Sequence, residues 1–226
     1  MRHLKRFCLL FIMAALFFTA CQSTERSRPV EVHQTKSART PYHGPRSPIA
    51  TGRFSNRSDF MRGIFSDGED RLGGQARTIL ISHLHQTNRF TVMDREHMAE
   101  AAFEAGISEN TQELLGASFL VTGDVTEFGR KEVGDMQMWG VLGRGKKQIA
   151  YSKVTIYVID VRTMAIVYSV QGAGEYELSN REVLGFGTTS SYDSTLNGKV
   201  LDLAIREAVD RLTEGIDAGF WGTRGS

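Results

Sequence analysis

The sequence predicts an α/β fold in which helices sandwich a mixed β-sheet. Two observations lead to this fold class. Runs rich in β-branched residues alternate with segments whose apolar residues recur at helical spacing, and the last two strand-like runs are separated only by a tight turn. Alternating strands and helices favour parallel pairing, while the tight turn adds an antiparallel strand, so the sheet is expected to be mixed.

Each element of this fold is predicted from a local pattern. Leu72, Ala76, Leu80 and Leu84 recur at helical spacing, and Asp94 is suited to cap the start of a second helix. Strands are predicted at 49–54, 89–93, 118–128, 151–161 and 164–170, and helices at 70–87, from Asp94 to Gly106, at 109–116 and across the apolar face from Leu201 to Ile216.

The amino terminus resembles the signal of a bacterial lipoprotein. Basic residues precede an apolar run from Phe7 to Phe18, which is shorter than the about 20 residues that a membrane-spanning helix needs. Small residues then lead to Cys21, as in a lipobox, where the cysteine is acylated and the chain is cut before it. We predict a signal peptide at 1–20 and a diacylglycerol and acyl chain on Cys21. An ordinary secretory signal with a chance cysteine is the alternative.

The chain after Cys21 divides into a tether, one domain and a short tail. All four prolines lie between 29 and 48, among polar residues that cannot bury enough apolar surface to fold, so 21–48 is predicted to be a disordered tether. Residues 49–221 form the α/β domain, and 222–226 form a flexible tail. A formal net charge of +1 gives no reason to expect a nucleic-acid partner.

No pattern in the sequence indicates catalysis or a metal site. His83 and His85 are two apart and cannot share one face of a helix, Asp94 is better explained as a cap than as a catalytic acid, and residues 143–147 lack the full spacing of a phosphate loop. The expectation is therefore a protein that is not an enzyme and binds no cofactor or metal.

Two glycine-rich stretches, 129–150 and 171–196, are too long to be tight turns. Loops longer than about 12 to 15 residues in a compact domain are usually functional or disordered. The residues that would face lipid if these stretches were membrane hairpins are Met136, Met138, Trp139, Val141 and Leu142 in the first, and Tyr176, Leu178, Leu184 and Phe186 in the second. Their lengths just suffice for strands of about 9 to 11 residues, but alternation is imperfect, so surface loops are the alternative.

The domain as a whole resembles the CsgG/HfaB family of outer-membrane lipoproteins, which transport curli subunits or anchor surface adhesins. Five stretches carry the resemblance, in this order behind the lipobox: 49–56, 75–84, 89–95, 120–125 and 215–221. The resemblance implies a homo-oligomeric ring of about nine lipid-anchored protomers. Each protomer would add two β-hairpins to a shared transmembrane barrel, with the α/β domains facing the periplasm and a secreted or surface-anchored protein as cargo.

The family also uses the loop after its first strand to line a pore constriction. Placed without gaps, the corresponding positions here are Ile64, Gly68 and Glu69, and none matches the family's residue types. Other side chains of the same loop could form a constriction instead, namely Phe60, Phe65 and Asp67. A second hypothesis is a lipoprotein that does not insert into the membrane and resembles LpoB, the activator of peptidoglycan synthases.

Overall fold

The structure is a computed structural model and describes residues 32–60, 69–108, 111–136, 144–181 and 195–222. Its elements are a 3-10 turn at Lys36–Arg39, strands β1 (Ser47–Asn56), β2 (Phe90–Met93), β3 (Phe119–Met136), β4 (Arg144–Asp160) and β5 (Ile166–Arg181), and helices α1 (Arg71–Gln86), α2 (Met98–Ile107) and α3 (Thr195–Asp217).

The five strands form one mixed sheet in the order β2-β1-β3-β4-β5. Strand β1 pairs in parallel with β2 and β3, because α1 carries the chain back between β1 and β2. The pairings of β3 with β4 and of β4 with β5 are antiparallel, and the turn between β4 and β5 spans only 161–165. The predicted mixed sheet is therefore confirmed.

The core lies between one face of the sheet and two helices that contact each other, α1 and α3. In the described part of the chain both packed helices lie on this face, so the predicted sandwich is corrected to two layers. The fully buried members of the core with the largest side chains are Ile49, Leu80, Leu84, Val121, Val125, Val154, Ile156, Val158, Leu201, Ile205 and Leu212. No helix among the described residues is both long enough and apolar enough to cross a membrane.

The second helix is the element that the sequence placed least well. It begins at Met98, after His97, and Asp94 instead accepts hydrogen bonds from the backbone N–H groups of Glu96 and His97 in the preceding turn. The helix predicted at 109–116 is wrong at 111–116, where the structure has no regular element; 109–110 lie outside the described residues. Thr111 and Gly116 in that segment have low helical propensity.

The tether predicted to end at 48 needs a correction at its C-terminal end. Thr35 and Ser37 are buried, and Ser37 donates from its backbone N–H and its hydroxyl to Asp210 of α3, both at 3.3 Å. Arg89 also donates to the carbonyl oxygen of Ser37 at 3.2 Å. The ordered domain therefore starts before β1. Its first segment is held by hydrogen bonds of short polar residues and not by an apolar pattern, so no signal for it was visible in the sequence.

Candidate functional site

The candidate site is the part of the sheet where β3, β4 and β5 continue beyond the short strands β1 and β2. We call it the ribbon: residues 127–136 of β3, 144–153 of β4 and 172–181 of β5. Backbone pairing is continuous along it, from Glu127 opposite Lys153 to Met136 opposite Arg144, and from Lys153 opposite Ala173 to Gly145 opposite Arg181. The first predicted hairpin stretch, 129–150, thus continues two strands of the sheet in its described part.

The ribbon has two strand edges without a partner strand among the described residues. Strand β1 pairs with β3 only as far as Val125, so the outer edge of β3 carries no further strand from there to Met136. On the other side, β5 pairs only with β4 over its whole length. Long exposed strand edges invite pairing with another chain, and here they lie on opposite sides of one ribbon.

Helix α3 packs very closely against the backbone of β5 at Gly172 and Gly174, in the part of the ribbon nearest the core. A Cβ atom on Gly172 would overlap the carbonyl oxygen of Ala204 and lie 2.6 Å from the backbone nitrogen of Ala208, and one on Gly174 would lie 2.7 Å from Cβ of Leu203. Two polar contacts join the same elements: Arg130 donates to Asn197 at 2.9 Å, and the ammonium of Lys199 lies 5.3 Å from the ring centre of Tyr176.

Charged residues run through the part of the ribbon beyond these contacts. Lys131 and Glu132 are adjacent in β3, and Lys146 and Lys147 are adjacent in β4. Because successive residues of a strand belong to opposite faces, strands with charges at successive positions have no continuous apolar face.

Few of the predicted lipid-facing residues can be located. Met136 and Leu178 belong to β3 and β5. Tyr176 is half-buried against the core, with the ammonium of Lys199 on α3 over its ring. The others lie outside the described residues: Met138, Trp139, Val141, Leu142, Leu184 and Phe186.

The predicted pore loop is described only at its two ends. Phe60 packs its ring on Phe128 with 4.6 Å between ring centres, and its carbonyl oxygen accepts a hydrogen bond from the Asn56 amide at 2.8 Å. Glu69 is exposed and directly precedes Asp70, the residue that caps α1. Phe60 is therefore held in the fold and is not free to project from the loop. The positions between them lie outside the described residues: Ile64, Phe65, Asp67 and Gly68.

The titratable groups noted in the sequence form structural contacts. His83 is buried and shares a 2.8 Å hydrogen bond with Asp202, which joins α1 to α3, whereas His85 is exposed, so the two lie on different faces as predicted. His97 hydrogen-bonds to Asp94 at 2.7 Å; this contact lowers the pKa of Asp94 to about 2, and Asp94 in turn raises the pKa of His97. No group of His, Cys, Asp and Glu residues in the described ranges could hold a metal ion.

Sequence reasoning missed two apolar surfaces. One is made by α2 and the segment after it, and the other by the β4–β5 turn and the end of α3; their large exposed side chains are Met98, Phe103, Ile107, Leu114 and Leu115, and Val161, Met164, Ile166, Val167 and Phe220. The alternation of Glu100 and Glu104 with alanines in α2 gave it the pattern of an ordinary surface helix, so exposure of its larger side chains could only be read from the structure.

A two-layer α/β domain with this strand order defines a fold class, and comparison with known proteins gives the family. Residues 29–224 match the family model "Curli production assembly/transport component CsgG". The chain belongs to the CsgG family.

Similar proteins of known sequence or structure come from several bacteria. A Neisseria meningitidis serogroup B protein, named as a putative lipoprotein, is 60% identical over 208 residues, covering 92% of this chain and 93% of its own. The PelC dodecamer of Paraburkholderia phytofirmans is 17% identical with a TM-score of 0.36, covering 75% of this chain and 91% of that one. The LpoB C-terminal domain of Salmonella enterica is 16% identical with a TM-score of 0.31, covering 56% and 81%.

Proposed function

We propose that this chain is a lipid-anchored outer-membrane component of the CsgG type, whose copies join into a ring that exports or anchors an extracellular protein. Membership of the CsgG family supports the transport or assembly role. The name of the 60% identical relative and the lipobox-like pattern before Cys21 support lipid anchoring, with the domain on the periplasmic side. In this proposal the protein makes and breaks no bond, and needs no cofactor besides its acyl chains.

The observation that carries the proposal is the pair of unpaired edges on one ribbon. The free edge of β3 in one copy can pair with the free edge of β5 in the next, and repeated head-to-tail contacts of this kind close into a ring without leaving an edge. About ten residues per strand at 3.3 Å each give the ribbon a length of roughly 33 Å, enough to form a continuous wall around a central opening.

A second candidate function is a lipoprotein that stays on the periplasmic side and regulates an envelope enzyme, as LpoB does for peptidoglycan synthases. The charges at successive positions of the ribbon favour it, because that part of the ribbon suits water better than lipid. The two functions differ in whether residues beyond Met136 and before Arg144 carry the hairpin into the bilayer.

Shortening the hairpin separates the two functions. Glu132 and Gln148 face each other in the β3–β4 pairing, so replacing 133–147 by Asn-Gly should close the hairpin with a two-residue turn and leave the rest of the sheet intact. For an inserted ring we expect the parent protein to give stable conductance in planar bilayers and the shortened protein to give none. Equal conductance from both, or none from a correctly assembled parent, would reject the channel and leave the regulator.

A further inference from the structure

We propose that copies of this chain contact one another through two apolar surfaces at opposite edges of the sheet, with α2 of one copy seated on the β4–β5 turn of its neighbour. This inference rests on the proposed ring, and it names the surface that sets the ring's lateral contact. The donor surface is α2 with Leu114 and Leu115, and the acceptor surface is the turn 161–167 with Phe220.

The donor surface lacks a partner in the part of the chain that the structure describes, where α2 buries no side chain. All ten residues of the helix are at least partly exposed, with Phe103 70% and Ile107 65% exposed. Isolated helices shorter than about 12 to 15 residues are marginal in water, and most helices in proteins are stabilised by packing an apolar face. A helix with only Glu100 and Glu104 as polar side chains lacks that packing within one copy.

The acceptor surface combines exposed apolar side chains with a cleft that can receive one. Val167 and Phe220, the latter 71% exposed, line a cleft of about 420 Å³ together with Phe119 and Trp221. Met164 is 74% exposed and adopts φ 59°, a left-handed conformation that favours glycine or asparagine. Burying this exposed apolar side chain against a neighbour would remove its surface from water, which is favourable.

The sheet register places the two surfaces at the same height on opposite sides of the molecule. Met93, which ends β2 just before α2, pairs with Ala50; Ala50 pairs with Leu120, Leu120 with Ile159, and Ile159 with Ile166, the first residue of β5. Contacts between the two ends of this row would repeat in one direction from copy to copy, so all ribbons would point to the same side of the ring.

Charge favours a second copy as the occupant over a different partner. The donor helix carries Glu100 and Glu104 and no basic residue. On the acceptor side the turn carries the exposed Arg162, while the carboxylate of the preceding Asp160 accepts hydrogen bonds from the backbone N–H groups of Arg162 and Thr163 within the turn. The two surfaces are also alike in composition, each with five large exposed apolar side chains. Because the donor and acceptor differ, the contact is heterologous, the type that generates rings rather than closed dimers.

Cysteine cross-linking of the full lipidated chain in detergent tests this contact. We expect Phe103→Cys protein mixed with Met164→Cys protein to form disulfide-linked dimers under mild oxidation, and the double variant to form a ladder of higher species. Each single variant alone, the parent, and a control mixture of Thr78→Cys, exposed on α1, with Met164→Cys should form none. Dimers from Phe103→Cys alone would show an isologous contact and overturn the proposal, as would the absence of dimers from the mixture.

Charge variants provide a second test that does not depend on oxidation. Glu104→Arg should reduce the fraction of oligomer in native mass spectrometry, and adding Arg162→Glu in the same chain should restore it. Phe103→Glu should abolish the oligomer while leaving the circular dichroism spectrum unchanged. Val32→Glu, at an exposed apolar residue outside both surfaces, should change neither the oligomer nor the spectrum. Unchanged oligomer with Phe103→Glu would overturn the contact, and so would loss of binding to phospholipid vesicles without loss of oligomer, which would make α2 a membrane surface.

The outcomes for the contact and for the proposed function can be told apart. If the shortened hairpin gives the parent's conductance but the Phe103 and Met164 cross-link still forms, the lateral contact stands and the channel falls. If the parent conducts but the cross-link is absent, the channel stands and the ring is held elsewhere.

Discussion

Arg89 is a buried guanidinium that joins three separated segments of the chain. It donates to the Asp217 carboxylate of α3 at 2.8 Å, to the carbonyl oxygens of Ser37 and Thr87 at 3.2 and 3.1 Å, and it lies 4.9 Å from the ring centre of Tyr42. Its side chain is only 6% exposed, whereas that of Asp217 is 44% exposed. The contact to Asp217 is bidentate, with Nε of Arg89 2.9 Å from Oδ1 and a terminal nitrogen 2.8 Å from Oδ2, so the ion pair adds to the stabilising effect of the two carbonyl contacts and the ring.

Arg89→Ala is expected to destabilise the domain by about 2 to 3 kcal/mol, because two buried carbonyl oxygens lose their donor. Urea unfolding measures this change. Lys153→Ala, which removes an exposed pair with Glu127 at 3.5 Å, is the matched control and should cost less than about 0.5 kcal/mol. If both variants unfold at the same urea concentration as the parent, Arg89 does not hold the segment before β1.

The exposed pair of Asp94 and His97 gives a pH dependence with a defined sign. The hydrogen bond to His97 lowers the pKa of Asp94 from 3.8 to about 2, so its contribution is present above pH 3.8 and is lost as pH falls toward 2. The pKa of His97 is raised above 6.5, first by the same hydrogen bond, so its contribution is present below pH 6.5 and is lost as pH rises through the raised pKa. Together they stabilise the turn most between about pH 4 and 6.5.

Asp94→Asn should lower the pKa of His97 and remove the loss of stability on the acid side. The pKa of His97 should fall only part of the way to its ordinary value, because Glu100 and Glu96 also raise it. Titration of the imidazole proton resonances by NMR measures it, with His85 as an internal reference on α1. An unchanged His97 titration would mean that the contact with Asp94 is not formed in solution.

Glycine determines how closely α3 can approach β5. Gly172→Ala would place a methyl group against backbone atoms of Ala204 and Ala208, which cannot move without shifting the helix, so we expect destabilisation of about 3 kcal/mol or more. Gly74→Ala on α1 is the control: a Cβ there meets nothing within 4 Å, and alanine should stabilise the helix by about 0.5 to 1 kcal/mol. Thermal unfolding of both variants checks the opposite signs.

Elements with a strong apolar period were predicted well, and those fixed by tertiary contacts were not. Helix α1 runs from Arg71 to Gln86 against a prediction of 70–87, because Leu72, Ala76, Leu80 and Leu84 all face the core. The sequence ended β3 near Phe128 and began β4 near Tyr151, whereas pairing continues to Met136 and Arg144. Glycines and charged residues in these segments weaken the alternating pattern of a strand, so the strands are recognised there only by their cross-strand hydrogen bonds.

The candidate site, the ribbon, is defined by the length of its strands and by their unpaired edges. A sequence shows strand length only in part and does not show which edges are unpaired. Parts of the two overlong stretches, 129–136, 144–150 and 172–181, belong to the ribbon. Their free edges could not be predicted, because they depend on β1 ending at Asn56, level with Val125. The apolar surfaces on α2 and on the β4–β5 turn were missed because exposure follows from three-dimensional packing and not from a residue's own hydropathy.

The predicted lipid attachment at Cys21 would decide where this domain acts, and a pair of cysteine variants tests it. Cys21→Ala removes the only thiol left after the predicted cleavage, so it should abolish labelling by a radioactive fatty acid and release the protein from the outer-membrane fraction. Stable anchoring needs two acyl chains or an equivalent second attachment, and a domain without them binds membranes weakly. Cys8→Ala is the matched control, because Cys8 lies within the predicted signal peptide and should change neither labelling nor fractionation. Persistent labelling of Cys21→Ala would place the lipid elsewhere, whereas lost labelling with unchanged outer-membrane fractionation would mean that the ribbon or the ring holds the protein there without its lipid.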